Sequence, residues 1–105
     1  MTDTTVYTIG KNAEDNWKIY RESSQTFTIF HLDKFSSAYV IVNVLMEDLT
    51  NQQIYTAADL CKSHSKYKNV PNTGVMYTSI SNTHLGNKPG AFIVNSNKKV
   101  KVVYV

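Results

Sequence analysis

Apolar residues along this chain recur in short runs at two different periods, and the two periods divide it into strands and helices. Residues 6–9, Val-Tyr-Thr-Ile, are β-branched or aromatic and stop at Gly10, which reads as a short strand closed by a turn. From Asn12 onward the spacing changes. Ala13, Trp17, Ile19 and Tyr20 suit one or two helical turns, with Asn12 as N-cap and Asp15 at the third position. Residues 26–32 and 39–44 return to strand composition, separated by the polar loop 33–37. Thr50 and Gln53 then stand in capping-box spacing ahead of Ile54, Ala57, Ala58 and Cys61, one buried stripe at i, i+3, i+4, i+7. This predicts the principal helix over 51–68, with Lys62 and Lys66 one turn apart on its flank. Pro71 to Gly74 end it, and residues 75–79 form another strand. The polar loop 81–90 is the place to look for chemistry. Residues 91–94 and 100–105 read as a closing hairpin around a turn at Asn95 to Lys98, with Lys99 and Lys101 on one side. Short, locally connected strands outnumber helices. The expected fold class is α+β, a mostly antiparallel sheet with one principal helix packed on a face.

Length changes the picture only by bounding it: 105 residues suffice for a single domain with a real core. Cys61 is the lone cysteine, so neither an intramolecular disulfide nor a cysteine zinc cluster is expected, which suits a reducing compartment. The opening Met-Thr-Asp-Thr-Thr lacks the basic and apolar regions of a signal peptide. The longest apolar run, at 38–42, is far too short to span a bilayer. A cytoplasmic or nuclear protein without membrane contact is expected.

Charge is more informative. All eight acids lie within the first 59 residues, against four bases, a balance of −4; the remainder carries seven lysines and no acid. Such a field attracts polyanions and gains from counterion release, which makes nucleic acid the leading partner. Lysines also sit in water for solubility alone, so the asymmetry needs a motif beside it.

Enzyme signatures fail. His31, His64 and His84 match no zinc spacing, and Cys61 sits in the helical stripe as an inert core thiol. Gly86 to Gly90 lacks the glycine spacing and the Lys-Ser/Thr ending of a phosphate-binding loop. Neither catalysis, metal nor cofactor is expected; a hydrolase is a distant third reading.

Four segments, taken in order, do carry a resemblance. They are Gly10-Lys11-Asn12 with Ala13 to Asn16; Phe30-His31-Leu32 through Ser37-Ala38-Tyr39-Val40; Ala57-Ala58-Asp59-Leu60 through Ser65-Lys66-Tyr67-Lys68; and Val75-Met76-Tyr77-Thr78 through Lys88-Pro89-Gly90. This series resembles the NFACT RNA-binding domain, found in the ribosome-quality-control factors and as the main domain of small eukaryotic relatives. The resemblance implies binding of structured RNA, tRNA or rRNA, in translation or ribosome quality control. By position it carries over Lys11, Asn12, His31, Ser37, Ser65, Lys66, Tyr77, Thr78, Lys88, Pro89 and Gly90. Phe27, Ile29 and Tyr39 depart from it, standing where the family commonly has Asp, Trp and His.

The residues themselves suggest the roles. Lys62, Lys66 and Lys68, with Lys88 and the hairpin lysines Lys99 and Lys101, would bind phosphates, Lys11 and Lys34 belong to the same expected site, and His31, Tyr39 or Tyr77 would stack on or hydrogen-bond an unpaired base. The site expected for nucleic acid also includes Asn12, Ser37 and Thr78. Each has a structural alternative: Tyr77 as a half-buried sheet residue, His31 as a core histidine, Asn12 as a helix cap, Pro89-Gly90 as a turn, Trp17 as core. DNA through the same basic face remains an alternative to RNA. A different class of function, a protein-interaction or dimerisation module, would use the strand at 100–105 as an exposed edge.

Overall fold

The computed structural model describes residues 4–35, 37–88 and 90–105. Its elements in chain order are β1 (Tyr7–Ile9), α1 (Ala13–Glu22), β2 (Thr28–Leu32), β3 (Val40–Val42), α2 (Asn51–Ser63), β4 (Gly74–Ser79), β5 (Thr83–Leu85), β6 (Phe92–Val94) and β7 (Lys101–Tyr104). Five strands form one sheet in the order β1-β3-β2-β4-β7, antiparallel at every pairing, and β5 pairs with β6 in a small second sheet. The fold is α+β.

The central strands are buried on both faces, which explains their nearly continuous apolar composition. Phe30 and Leu32 of β2, Val40 and Val42 of β3, and Val75 and Tyr77 of β4 point to one side, where Ala57, Ala58 and Cys61 of α2 cover them. Phe30 and Tyr77 face each other across the β2–β4 ladder with rings stacked 4.8 Å apart. Ile29, Tyr39 and Ile41 point to the other side and pack with Ile19 of α1 and with Ile80. There α1 and the β5–β6 hairpin form the cover. Trp17 Nε1 donates to the Ala91 carbonyl at 2.9 Å, and the Tyr20 and Thr83 hydroxyls pair at 2.7 Å. The sheet is therefore sandwiched, with α2 on one face and a second helix of ten residues, longer than the pattern of Trp17 and Tyr20 implied, on the other.

Both predicted caps form. Thr50 and Gln53 make a reciprocal capping box, and the Asn12 side chain accepts the Asp15 N–H at 2.9 Å. Helix α2, however, stops at Ser63 and not at 68. The His64 and Ser65 N–H groups close the last turn on the Leu60 and Lys62 carbonyls, and the hydroxyls of Ser63 and Ser65 donate to the same two carbonyls, so the helix end is satisfied locally. Lys62 and Lys66 consequently do not share a helical flank.

The expected closing hairpin does not form either. Residues 92–94 pair with β5, and β7 pairs with β4 at the edge of the main sheet. Asn82 decides this. Its main-chain oxygen accepts the Asn95 N–H at 2.7 Å, its Oδ1 accepts the Ser96 N–H at 3.1 Å, and its Nδ2 donates to the Ser96 carbonyl at 2.9 Å. The chain is thereby held beside residue 82 before a 3-10 turn at Asn97–Lys99 sends it to β4. Lys99 belongs to that turn and so does not share a strand face with Lys101.

Candidate nucleic-acid interface

Three segments distant in sequence meet at the end of the β2–β4 ladder where β2 finishes. They are the turn before α1, the loop between β2 and β3, and the turn that follows α2. Between them lies an open cleft of about 1160 Å³.

Each wall is fixed by its own sequence. A β-carbon at Gly10 would fall on the side-chain amide oxygen of Asn16, so glycine is required where β1 enters the turn. The turn is then locked, because the Lys11 N–H donates to Asp15 Oδ2 at 2.8 Å while Asn12 caps the helix. This leaves the Lys11 side chain exposed on the rim. In the β2–β3 loop the Ser37 hydroxyl accepts the Leu32 N–H at 3.1 Å and donates to the Ala38 carbonyl at 3.1 Å, so the loop closes on itself with Lys34 and Phe35 outward. Ser65, after α2, donates to the Lys62 carbonyl at 2.7 Å and accepts the Tyr67 N–H at 3.0 Å, which presents Lys66 to the cleft.

His31 forms part of the floor. Its ring meets Tyr39 and Phe92 edge-on, at 5.7 and 5.5 Å between centroids. Nδ1 lies 2.8 Å from the Leu32 carbonyl; since a carbonyl only accepts, Nδ1 carries the proton and Nε2 is left as an acceptor. Burial lowers the His31 pKa from its ordinary 6.5, with the Leu32 bond opposing in part. The ring is thus a neutral hydrogen-bonding group and adds no charge to the cleft near pH 7.

Of the residues singled out in the sequence, Lys11, Asn12, His31, Lys34, Ser37 and Lys66 line this one cleft. Asn12 and Ser37 are spent on the walls, so the exposed cations are Lys11, Lys34 and Lys66. Tyr39, Tyr77 and Thr78 lie elsewhere. Tyr39 is fully buried with its hydroxyl on the Gly90 carbonyl at 2.7 Å, Tyr77 belongs to the core under α2, and the Thr78 hydroxyl is held by the Lys99 carbonyl at 3.0 Å. The Tyr39 and Thr78 hydroxyls are thus bonded within the fold, and Tyr77 is only 7% exposed, so neither tyrosine presents a ring face for stacking. Lys62 Nζ donates to the Val105 main-chain oxygen at 2.8 Å, tying α2 to the end of β7. Lys68 and Lys88 are exposed but outside the cleft lining. Pro89 of the Lys-Pro-Gly motif, like Ser36 and residues 1–3, lies outside the described residues. Gly90 has a φ of +85°, and a β-carbon there would stand 2.7 Å from that of Ala13, so the motif's glycine lets this turn pack on the start of α1.

Phe35, Tyr67 and His64 also line the cleft, three residues outside the nucleic-acid site expected from the sequence. One signal pointed to two of them: Lys34-Phe35 and Lys66-Tyr67 repeat a lysine followed by an aromatic ring, the pairing that single-stranded nucleic-acid sites use. A second depression, of about 790 Å³, lies at the opposite end of the same ladder. Lys98, Lys99 and Lys101 border it together with Glu47. Among the described residues no three His, Cys, Asp or Glu side chains gather as a metal site, and no helix is long and apolar enough to cross a membrane.

The α+β arrangement, a two-faced antiparallel sheet with a cleft built from the Gly-Lys-Asn turn and the Ser-Lys helix end, defines the class of fold. The chain belongs to the NFACT protein RNA-binding domain family, whose model matches residues 1–96; this is a family of RNA-binding domains and not of enzymes. Among solved structures it is similar to the C-terminal of the fibronectin/fibrinogen-binding protein from Streptococcus suis, with a TM-score of 0.86 and 21% identity. That match covers 97% of this chain and 41% of the other, so the chain spans less than half of the solved relative and shares its fold. No curated protein matches it. Phe27, Ile29 and Tyr39, where the resemblance leads one to expect Asp, Trp and His, all pack in the apolar cluster beneath α1.

Proposed function

We propose that this chain is a single-domain, non-enzymatic RNA-binding module that holds structured RNA, tRNA or rRNA, in the cleft bordered by Lys11, Lys34 and Lys66. Its work lies in translation or ribosome quality control, in the cytoplasm or nucleus. One observation carries the reading: the two basic motifs on which the resemblance rests, Lys11 after Gly10 and Lys66 after Ser65, are far apart in sequence and line the same cleft. Lysines there neutralise phosphates and orient the strand, while the His31 acceptor suits a donor such as a ribose 2′-hydroxyl, the group that separates RNA from DNA. Affinity for tRNA, followed by fluorescence anisotropy, falls steeply with salt, by about one log-log unit per phosphate contact. Lys11→Glu with Lys66→Glu abolishes that binding while the far-ultraviolet dichroism is unchanged. Equal affinity for duplex DNA would move the reading to general nucleic-acid binding.

A second reading, self-association or capture of a partner strand, has its own support. Strand β7 is a sheet edge on which Val102 is 40% and Tyr104 63% exposed. A dimer in sedimentation equilibrium that Val102→Lys dissociates would favour it.

A further inference from the structure

Phe35 is 43% exposed, yet its ring is stacked on that of Tyr67, with centroids 4.1 Å apart and planes within 25° of parallel. We infer that this pair is a platform for an unpaired nucleotide base, which extends the stack on the outer face of Phe35. The inference rests on the RNA-binding reading above and deepens it: the module takes RNA carrying unpaired bases, in loops or single strands, in preference to uninterrupted duplex.

Three observations carry it. First, the platform is braced. Tyr67 packs against the core under α2, its N–H is held by Ser65 and its carbonyl accepts the Val70 N–H at 3.0 Å, so the lower ring is not free to swing. Secondly, the upper ring is displayed at a place where its apolar surface gains nothing from water, on a loop whose closure uses Ser37 and does not need Phe35. A contact that only pinned the loop to α2 would be served by an aliphatic side chain turned inward. Thirdly, each ring follows an exposed lysine that lines the cleft, Lys34 and Lys66, which with Lys11 outnumber the exposed carboxylate Asp33 there, so cations near the stack can hold the phosphates of the nucleotide whose base lies on it. This charge setting suits a nucleic acid better than an apolar protein segment. In an A-form duplex the base faces are stacked inside and cannot reach such a platform, which is why the preference follows.

The test uses two labelled RNAs of equal phosphate number, a hairpin with a uridine loop and a blunt duplex, titrated against the whole chain and its variants. Phe35→Ala and Phe35→Leu are expected to weaken hairpin binding roughly 5- to 150-fold, the range for loss of one base–aromatic stack, and to leave duplex binding unchanged. Phe35→Trp should keep or raise hairpin affinity. Phe35→Leu preserves apolar cover over Tyr67, so full hairpin affinity in that variant overturns the inference and makes Phe35 a loop anchor. Equal losses on hairpin and duplex also overturn it, as does native binding of an abasic loop as tight as that of the uridine loop. If the native chain binds neither RNA, or Lys66→Glu is without effect on both, the RNA-binding reading itself fails. Loss with Lys66→Glu but not with Phe35→Leu removes only the platform.

Discussion

The side-chain oxygen of Asn16 accepts the buried N–H of Tyr39 at 3.1 Å, and through this bond α1 is fastened to the start of β3. The same side chain occupies the space that a residue larger than glycine would need at position 10. Asn16 thereby sets the height of the Gly-Lys-Asn turn, and with it the position of Lys11 on the cleft. Asn16→Leu leaves the Tyr39 N–H without a partner and should cost about 1–3 kcal/mol, read as a lower midpoint in urea unfolding. An unchanged midpoint would contradict the role assigned to Asn16.

His31 makes stability depend on pH. Burial keeps its folded-state pKa below 6.5, so between the two values the unfolded chain binds a proton that the folded chain does not. The stabilisation is present above about pH 6.5 and is lost as the pH falls, with a slope of at most about 1.4 kcal/mol per pH unit from this residue. Unfolding midpoints measured between pH 8 and 5 should decline on the acid side, and His31→Gln should flatten that decline. A native profile as flat as the variant's would show that the ring is not held neutral.

Lys62 and Lys66 should separate structure from binding. Lys62→Ala removes the bond to Val105 and lowers stability by about 0.5–1.5 kcal/mol, with the salt slope of RNA binding intact. Lys66→Ala leaves stability near native and lowers that slope by about one unit. Denaturation curves and salt titrations on the same two variants check both halves, and a reversed pattern would contradict the assignment.

Cys61 should be unreactive in the native protein. It is fully buried in α2, and burial pushes its thiol pKa far upward, so almost no thiolate exists near neutral pH. Its labelling by a disulfide reagent should appear only as denaturant unfolds the chain; rapid labelling without denaturant would contradict the packing described for α2.

Local signals were legible in the sequence because they depend on near neighbours. The Thr50–Gln53 box, the Asn12 cap, the Ala57-Ala58-Cys61 stripe and most strands follow from short-range spacing, and each appears in the fold. What could not be read was set by contacts across the chain. Asn82 diverts residues 95–96 away from a hairpin, and α2 ends at Ser63, so that the turn after it brings Tyr67 under Phe35. Charge misled for the same reason. The lysine-rich second half suggested one face, but Lys62 is bonded to Val105 and Lys98, Lys99 and Lys101 lie at the far end of the ladder, while Lys11 and Lys34 come from the acidic half. Tyr39 and Tyr77 looked like base-stacking candidates because strand alternation alone does not reveal that both faces of the sheet are covered.

The most direct measurement is a two-dimensional ¹⁵N–¹H NMR titration of the whole chain with an RNA hairpin. Shifts are expected to concentrate at Lys11, Lys34, Phe35, Lys66 and Tyr67, with Lys98, Lys99 and Lys101 little changed. Shifts confined to the second depression, or spread evenly over every exposed lysine, would contradict the cleft as the RNA site.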